Sequence, residues 1–146
     1  MRRGVAISPV TKLEWAHLRS LATDVTSYAD VNSRGHAAAR RAILRYLAKL
    51  GRKYGKHQDI LATKADFCWS DRTSIALLLE AYELARKASD MRNRTYISSH
   101  LAGLYALNVN DKRKALRWLR VLESDLKEYW SSSDAHWLRY LKKYIS

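Results

Sequence analysis

Apolar residues recur along most of this chain at alternating intervals of three and four, which is the period of an amphipathic α-helix. A first helix is predicted to open within "SPVTKLEW", either at Ser8 or at a capping box of Thr11 and Glu14. Its apolar stripe consists of Trp15, Leu18, Ala22, Val25 and Ala29. A second helix, from about Gly35 to Tyr54, is predicted from the stripe Ile43, Tyr46, Leu47, Leu50 and Tyr54.

The rest of the chain continues the same pattern between short polar bends. Helices are predicted over about residues 58–67, 72–88, 93–107 and 111–130, and a closing helix follows "SSSD". In the closing helix the residues expected to face inward are Trp137, Leu138, Leu141, Tyr144 and Ile145. The prediction is a single all-α domain over residues 1–146, with about seven helices paired as antiparallel hairpins and a C-terminal capping helix. Residues 1–7 are predicted to form a flexible arm.

Two of the predicted hairpins place large and small residues in a similar order. In the first hairpin these residues are Leu61, Ala62, Ala65, Ser74, Leu78 and Ala81. In the second they are Leu101, Ala102, Tyr105, Ala115, Leu119 and Leu122, with one more residue across the bend. Over about residues 58–124 this order resembles the tetratricopeptide repeat, and "LAGLY" is the best local match. The units are displaced by more than the repeat's length of about 34 residues, and neither ends in proline, so an irregular helical bundle is the alternative.

The resemblance to tetratricopeptide repeats implies a binding groove lined by the first helix of each hairpin. Such a groove holds an extended or helical peptide, so the implied partner is a protein segment. The matching positions are Asp59, Thr63, Asp66, Tyr96, Ser99, His100 and Leu107, with Arg19 and Thr23 added from the first helix. The alternative for each of these residues is ordinary solvent-exposed helix surface.

The balance of charge favours a polyanion as a different kind of partner. Lysine and arginine number 27 against 14 aspartate and glutamate residues, a formal net charge of +13. On the second helix the cations opposite the apolar stripe are Arg41, Arg45, Lys49, Arg52 and Lys56, and on the sixth they are Arg113, Arg117 and Arg120. Because arginine forks suit phosphate oxygens, the alternative function is nucleic-acid binding through these basic helix faces. An amphipathic helix in water also carries such charges without any partner.

Residue patterns typical of catalysis do not occur in the sequence. The five histidines are scattered, and none lies three or four residues from another, as a metal site on a helix requires. The single cysteine, Cys68, excludes an internal disulfide and fits a reducing compartment. No apolar run reaches the roughly 18 residues of a membrane-spanning helix. The chain is therefore predicted to be a cytoplasmic, non-enzymatic protein without metal or cofactor. Its predicted role is that of a small helical-repeat adaptor or regulator that binds a protein segment.

Overall fold

The computed structural model describes residues 8–146, and the predicted flexible arm, residues 1–7, lies outside the described residues. The described chain forms seven α-helices and no strand, which confirms the all-α prediction. The helices are α1 (Lys12–Thr26), α2 (Arg34–Tyr54), α3 (Gln58–Ala65), α4 (Asp71–Lys87), α5 (Met91–Gly103), α6 (Lys112–Glu128) and α7 (Ser132–Ile145). A single π-helical turn, Leu104–Asn108, continues α5.

Each of the seven helices begins at a residue whose side chain accepts a hydrogen bond from the helix backbone. These N-caps are Thr11, Ser33, His57, Ser70, Asp90, Asp111 and Ser131. At α1 the predicted capping box is complete, because Thr11 and Glu14 each accept a hydrogen bond from the backbone N–H of the other. The second helix ends at Gly55, whose φ of 76° is a value that glycine adopts without strain. The polar bends therefore determine where the helices start and stop.

Short connections make consecutive helices pack against each other as antiparallel hairpins. The pairs are α1 with α2, α3 with α4 and α5 with α6, and α7 closes the chain against both α5 and α6. The buried apolar residues form two clusters: one joins α1 and α2 to Ile60 of α3, and the other extends from α3 to α7. Within the described chain α1 packs closely against α2 alone. The side of α1 that bears Lys12 and Arg19 is therefore not covered by another helix.

A buried carboxylate ties α4, α5 and α6 together. Asp125 of α6 is 1% exposed. It accepts hydrogen bonds from the hydroxyls of Tyr82 and Ser98 and from the guanidinium of Arg94, each at 3.0 Å. These three donors satisfy both carboxylate oxygens, which a charge held in a protein interior requires.

The π turn lies at the point where the second hairpin has its extra residue. Its backbone N–H groups bond five residues back, and the N–H of Val109 donates to the carbonyl of Leu104 at 3.0 Å. One residue more separates Leu101 from Ala115 than separates Leu61 from Ser74. A π turn holds one residue more than an α-helical turn, so it lets the helix continue to Asn108.

The structure differs from the prediction at several points. The first helix ends at Thr26, where the chain tightens and the N–H of Tyr28 bonds to the carbonyl of Val25, so Ala29 of the predicted apolar stripe lies beyond the helix and is exposed. The third helix ends at Ala65, because the chain beyond it tightens into hydrogen bonds between residues three apart. The fifth helix begins two residues early, at Met91, because the carboxylate of Asp90 accepts a hydrogen bond from the N–H of Asn93 and caps it. The expectation that Tyr144 faces inward is wrong: its side chain is 52% exposed and stacks on Tyr140.

Candidate binding groove

A recess of about 560 Å³ lies where α1, α3 and α5 face one another. Its lining residues are Ser8, Lys12, Trp15, Arg19, Asp59, Ala62, Thr63, Asp90, Arg92, Asn93 and Tyr96. Residues four apart share one face of a helix, which is why Trp15 and Arg19 of α1, and Asp59 and Thr63 of α3, line it together. The recess exists because α1 leaves α3 and α5 uncovered on this side.

A hydrogen-bond network forms the floor of this first recess. The side-chain amide of Asn93 donates to Asp59 and to Asp90, both at 2.6 Å. The side-chain amide of Gln58 donates to Asp90 at 2.9 Å, and both of these residues are buried. Because α3 supplies two members and the start of α5 supplies the others, the network fixes α3 against α5.

A second polar cluster bridges α3 and α5 further along. The hydroxyl of Tyr96 donates to Asp66 Oδ2 at 2.9 Å, and His100 Nδ1 lies 3.2 Å from Asp66 Oδ1. Although the Asp66 side chain is 31% exposed, the surrounding atoms desolvate it and raise its pKa, against the opposing effects of His100 and Tyr96. Burial, together with the nearby Asp66 carboxylate, raises the pKa of Tyr96 far above its usual value. The tyrosine is therefore a neutral donor held in one orientation.

A second recess, of about 490 Å³, lies between α5, the π turn and α7. Its lining residues are Tyr96, Ser99, His100, Gly103, Leu104, Leu107, Asn108, Asp134 and Trp137. Gly103 allows the indole of Trp137 to approach, since a β-carbon there would lie 3.0 Å from Trp137 Cζ2. The indole N–H donates to the backbone carbonyl of Ser99 at 3.2 Å. The two recesses share Tyr96, and we refer to them together as the groove.

Cations and carboxylates of the first recess differ in how they are paired. Lys12, Arg19 and Arg92 are exposed, and within residues 8–146 none lies at ion-pair distance from a carboxylate. The carboxylates of Asp59 and Asp90 are held by amide donors of the floor. The two floor carboxylates keep their charge but are largely buried, so the three exposed cations outnumber them and are easier for a ligand to reach. The lining of the second recess contains no lysine or arginine and one carboxylate, that of Asp134.

Six of the seven positions matched to the tetratricopeptide repeat line one or both of the two recesses. Residues in the first recess are Asp59, Thr63 and Tyr96, and those in the second are Tyr96, Ser99, His100 and Leu107. Asp66 lies between them through its bond to Tyr96. The side chain of Ser99 is buried, so only its carbonyl has a visible role. Of the two positions added from the first helix, Arg19 lines the first recess and Thr23 does not.

Several lining residues were not predicted as site residues. The periodicity predicts Trp15 and Trp137 on apolar core stripes, yet both lie at the edge of the core and line the groove. Lys12, Arg92 and Asn93 carried no motif. The spacing of Lys12, Trp15 and Arg19 at intervals of three and four was the available signal, because it places two cations beside an aromatic ring on one face.

The two predicted basic faces lie away from the groove-lining residues. Of the predicted α2 cations, four are exposed and have no carboxylate at ion-pair distance within residues 8–146: Arg41, Arg45, Lys49 and Arg52. Lys56 differs, because its ammonium pairs with Glu80 at 2.7 Å. On α6, Arg113, Arg117 and Arg120 line a shallow recess of about 750 Å³ together with Leu116. Helices α2 and α6 do not pack against each other, so the two faces belong to separate elements.

Two tryptophans at helix ends are exposed. Trp69 is 56% exposed and Trp130 is 67% exposed. The guanidinium of Arg40 lies over the ring of Trp69, 4.0 Å from its centre, and its Nη1 donates to the carbonyl of Phe67. Trp69 is thus an exposed ring with a cation on one face.

Within residues 8–146, no three histidine, cysteine, aspartate or glutamate side chains gather as metal ligands would. Nor is any helix of that range both long and apolar enough to cross a membrane. Comparison of the chain with protein-family models, with curated proteins and with solved structures found no match. The tetratricopeptide resemblance of "LAGLY" and its surroundings therefore stays a prediction from the residues.

Proposed function

We propose that the protein is a non-enzymatic adaptor or regulator that binds an extended segment of another protein in the groove. The observation that carries this proposal is the junction of the two recesses at Tyr96, with lining residues from α1, α3, α5 and α7. Each recess is within the range of about 300–1,000 Å³ that ligand sites occupy. A compact small molecule would fill one recess, whereas an extended segment would contact both.

The fixed geometry of the groove supports this proposal. The Asn93 network and the bond from Tyr96 to Asp66 hold α3 and α5 in one arrangement. A surface ordered before binding loses little conformational entropy when a ligand arrives, so less of the contact energy is offset. Tyr96 has the properties of an anchor: it is aromatic, central, 41% exposed and oriented by a hydrogen bond.

Selection of peptides from a displayed random library, followed by binding measurements on Tyr96→Ala, tests the proposal. Selected peptides are expected to perturb amide resonances of α3 and α5. The Tyr96→Ala variant is expected to bind these peptides with an affinity lower by about tenfold or more. The matched control is Tyr28→Ala, because Tyr28 is 44% exposed and lines neither recess. Tyr96→Phe separates the ring from its bond to Asp66. If Tyr96→Ala, folded by circular dichroism, binds selected peptides like the wild type, the proposed groove is wrong.

Nucleic-acid binding is the second candidate function, and the unpaired arginines of α2 favour it. They form a row of exposed cations along one helix in a chain of net charge +13. A labelled oligonucleotide is expected to bind with an affinity that falls steeply as salt is raised. Replacing Arg41, Arg45 and Arg52 by glutamine is expected to reduce the salt slope by about one per lost contact. Absence of binding at low salt, or a triple variant that binds like the wild type, would exclude this function for α2.

A further inference from the structure

The first recess presents three exposed cations, which outnumber the two carboxylates at its floor. Lys12 and Arg19 lie on the uncovered side of α1, and Arg92 lies opposite them at the start of α5. All three side chains are exposed and have no carboxylate at ion-pair distance within the described residues. By contrast, the two floor carboxylates are largely buried, because the Asp59 side chain is 16% exposed and Asp90 is 2% exposed, so a ligand reaches the cations first.

The second recess has a different chemistry. Leu104, Leu107 and the indole of Trp137 are among its lining residues, and Gly103 leaves room beside the indole. Its one carboxylate, Asp134, lies in the first turn of α7 and disfavours an acidic group there. Along the groove, the lining thus changes from mainly cationic side chains at the α1 end to apolar side chains and one carboxylate at the α7 end.

From this asymmetry we propose that the groove takes an acidic protein segment carrying one large apolar residue. Its aspartate or glutamate residues lie against Lys12, Arg19 and Arg92, and its apolar side chain enters the recess beside Trp137. This inference rests on the proposed function, because it names the class of segment that the same groove binds. Exposed ion pairs are individually weak, so the three cations together contribute about 3- to 100-fold in affinity. The contribution falls as salt screens it.

Charge reversal of the recess tests the acidic half of the proposal. Random displayed peptides selected on the wild-type protein are expected to be rich in aspartate and glutamate, clustered to one side of an apolar residue. Synthetic copies with glutamate replaced by glutamine are expected to bind about 3- to 100-fold more weakly. The variant Lys12→Glu/Arg19→Glu/Arg92→Glu is expected to lose the acidic peptides.

The matched control is Arg41→Glu/Arg45→Glu/Arg52→Glu on α2, which makes the same change in net charge away from the groove. It is expected to keep the acidic peptides. Should it lose them as fully as the groove variant does, the attraction comes from overall charge and the inference is overturned.

The remaining outcomes separate this inference from the proposed function. Selected peptides that depend on Tyr96 but bind equally well with glutamine in place of glutamate would leave the groove in place and overturn the acidic class. Peptides whose binding survives Tyr96→Ala would overturn the groove itself. If an oligonucleotide displaces the selected peptides and they bind at α2, the groove is likewise overturned.

The apolar half is tested with Leu107→Ala, whose folding is checked by thermal unfolding. This variant is expected to bind peptides that carry the apolar residue more weakly than the wild type does. Its affinity for peptides in which serine replaces that residue is expected to be unchanged. Equal weakening of both peptides would show that the apolar side chain lies elsewhere.

Discussion

Removal of the Asp125 carboxylate is expected to destabilise the fold severely. Asp125 is 1% exposed, and Asp125→Ala leaves the guanidinium of Arg94 without its acceptor while that side chain is only 24% exposed. It also leaves the hydroxyl of Ser98, a fully buried residue, without its carboxylate partner. Breaking a buried ion pair from one side lowers the free energy of unfolding by about 3–5 kcal/mol. The lower end applies here, because Arg94 retains some access to water.

That loss is large against the total stability of a domain, which is about 5–15 kcal/mol. For a chain of this length it corresponds to a fall in Tm of roughly 10 °C. Urea unfolding followed by circular dichroism measures the change. The control is Glu123→Ala on the same helix, whose ion pair with Lys142 at 2.9 Å is half-exposed and contributes about 1 kcal/mol or less.

A double variant tests the physical reason. In Asp125→Ala/Arg94→Met no charge is left unpaired, so part of the lost stability is expected to return. If Asp125→Ala loses no more stability than Glu123→Ala, or if the double variant loses the sum of the single effects, then the buried network does not stabilise the fold as described.

Three further changes probe other contacts. In Gly103→Ala the new methyl group is expected to displace the indole of Trp137 and shift the indole N–H resonance. The free energy of unfolding is expected to change by about 1 kcal/mol or less, because alanine favours the helix. An unmoved resonance would contradict the close approach. The hydrogen bond from Tyr54 is the main reason that the pKa of Glu14 falls to about 2, so Tyr54→Phe is expected to raise it toward 4.5 in a carboxyl NMR titration. Because that pKa is depressed by folding, the stabilisation it gives is present above about pH 4.5 and is lost as pH falls toward 2, and Tyr54→Phe is expected to flatten this dependence. Trp69→Ala is expected to lower the free energy of unfolding by only about 0.5–1 kcal/mol, because the ring is 56% exposed and its cation contact is at the surface; a larger loss would show that the ring packs more tightly than described.

The helices were predictable because their signals are local. An apolar stripe such as Leu119, Leu122 and Leu126 identifies a helix and its buried face at once, and the structure buries all three. The capping box of Thr11 and Glu14 was predictable for the same reason, since both partners lie within one turn.

The groove was predictable only in part. Positions such as Asp59 and Tyr96 followed from a resemblance between hairpins, but the cations beside them depend on how far α1 stands from α3. That distance is set by contacts between residues far apart in the chain. Likewise, the periodicity could not distinguish the half-covered Trp15 and Trp137 from fully buried core residues, because a stripe identifies the inward side of a helix and not its depth.

The π turn has a consequence for how the second recess is built. Each added residue turns an α-helix by about 100°, so the wide turn at Leu104–Asn108 changes the direction in which the following side chains point. Leu104, Leu107 and Asn108 reach the recess from within this segment. Deleting one residue there is expected to restore a regular helix and rotate them away from the indole, which a shift of the indole N–H resonance of Trp137 would reveal. The shape of this end of the molecule therefore depends on a single extra amino acid in the chain.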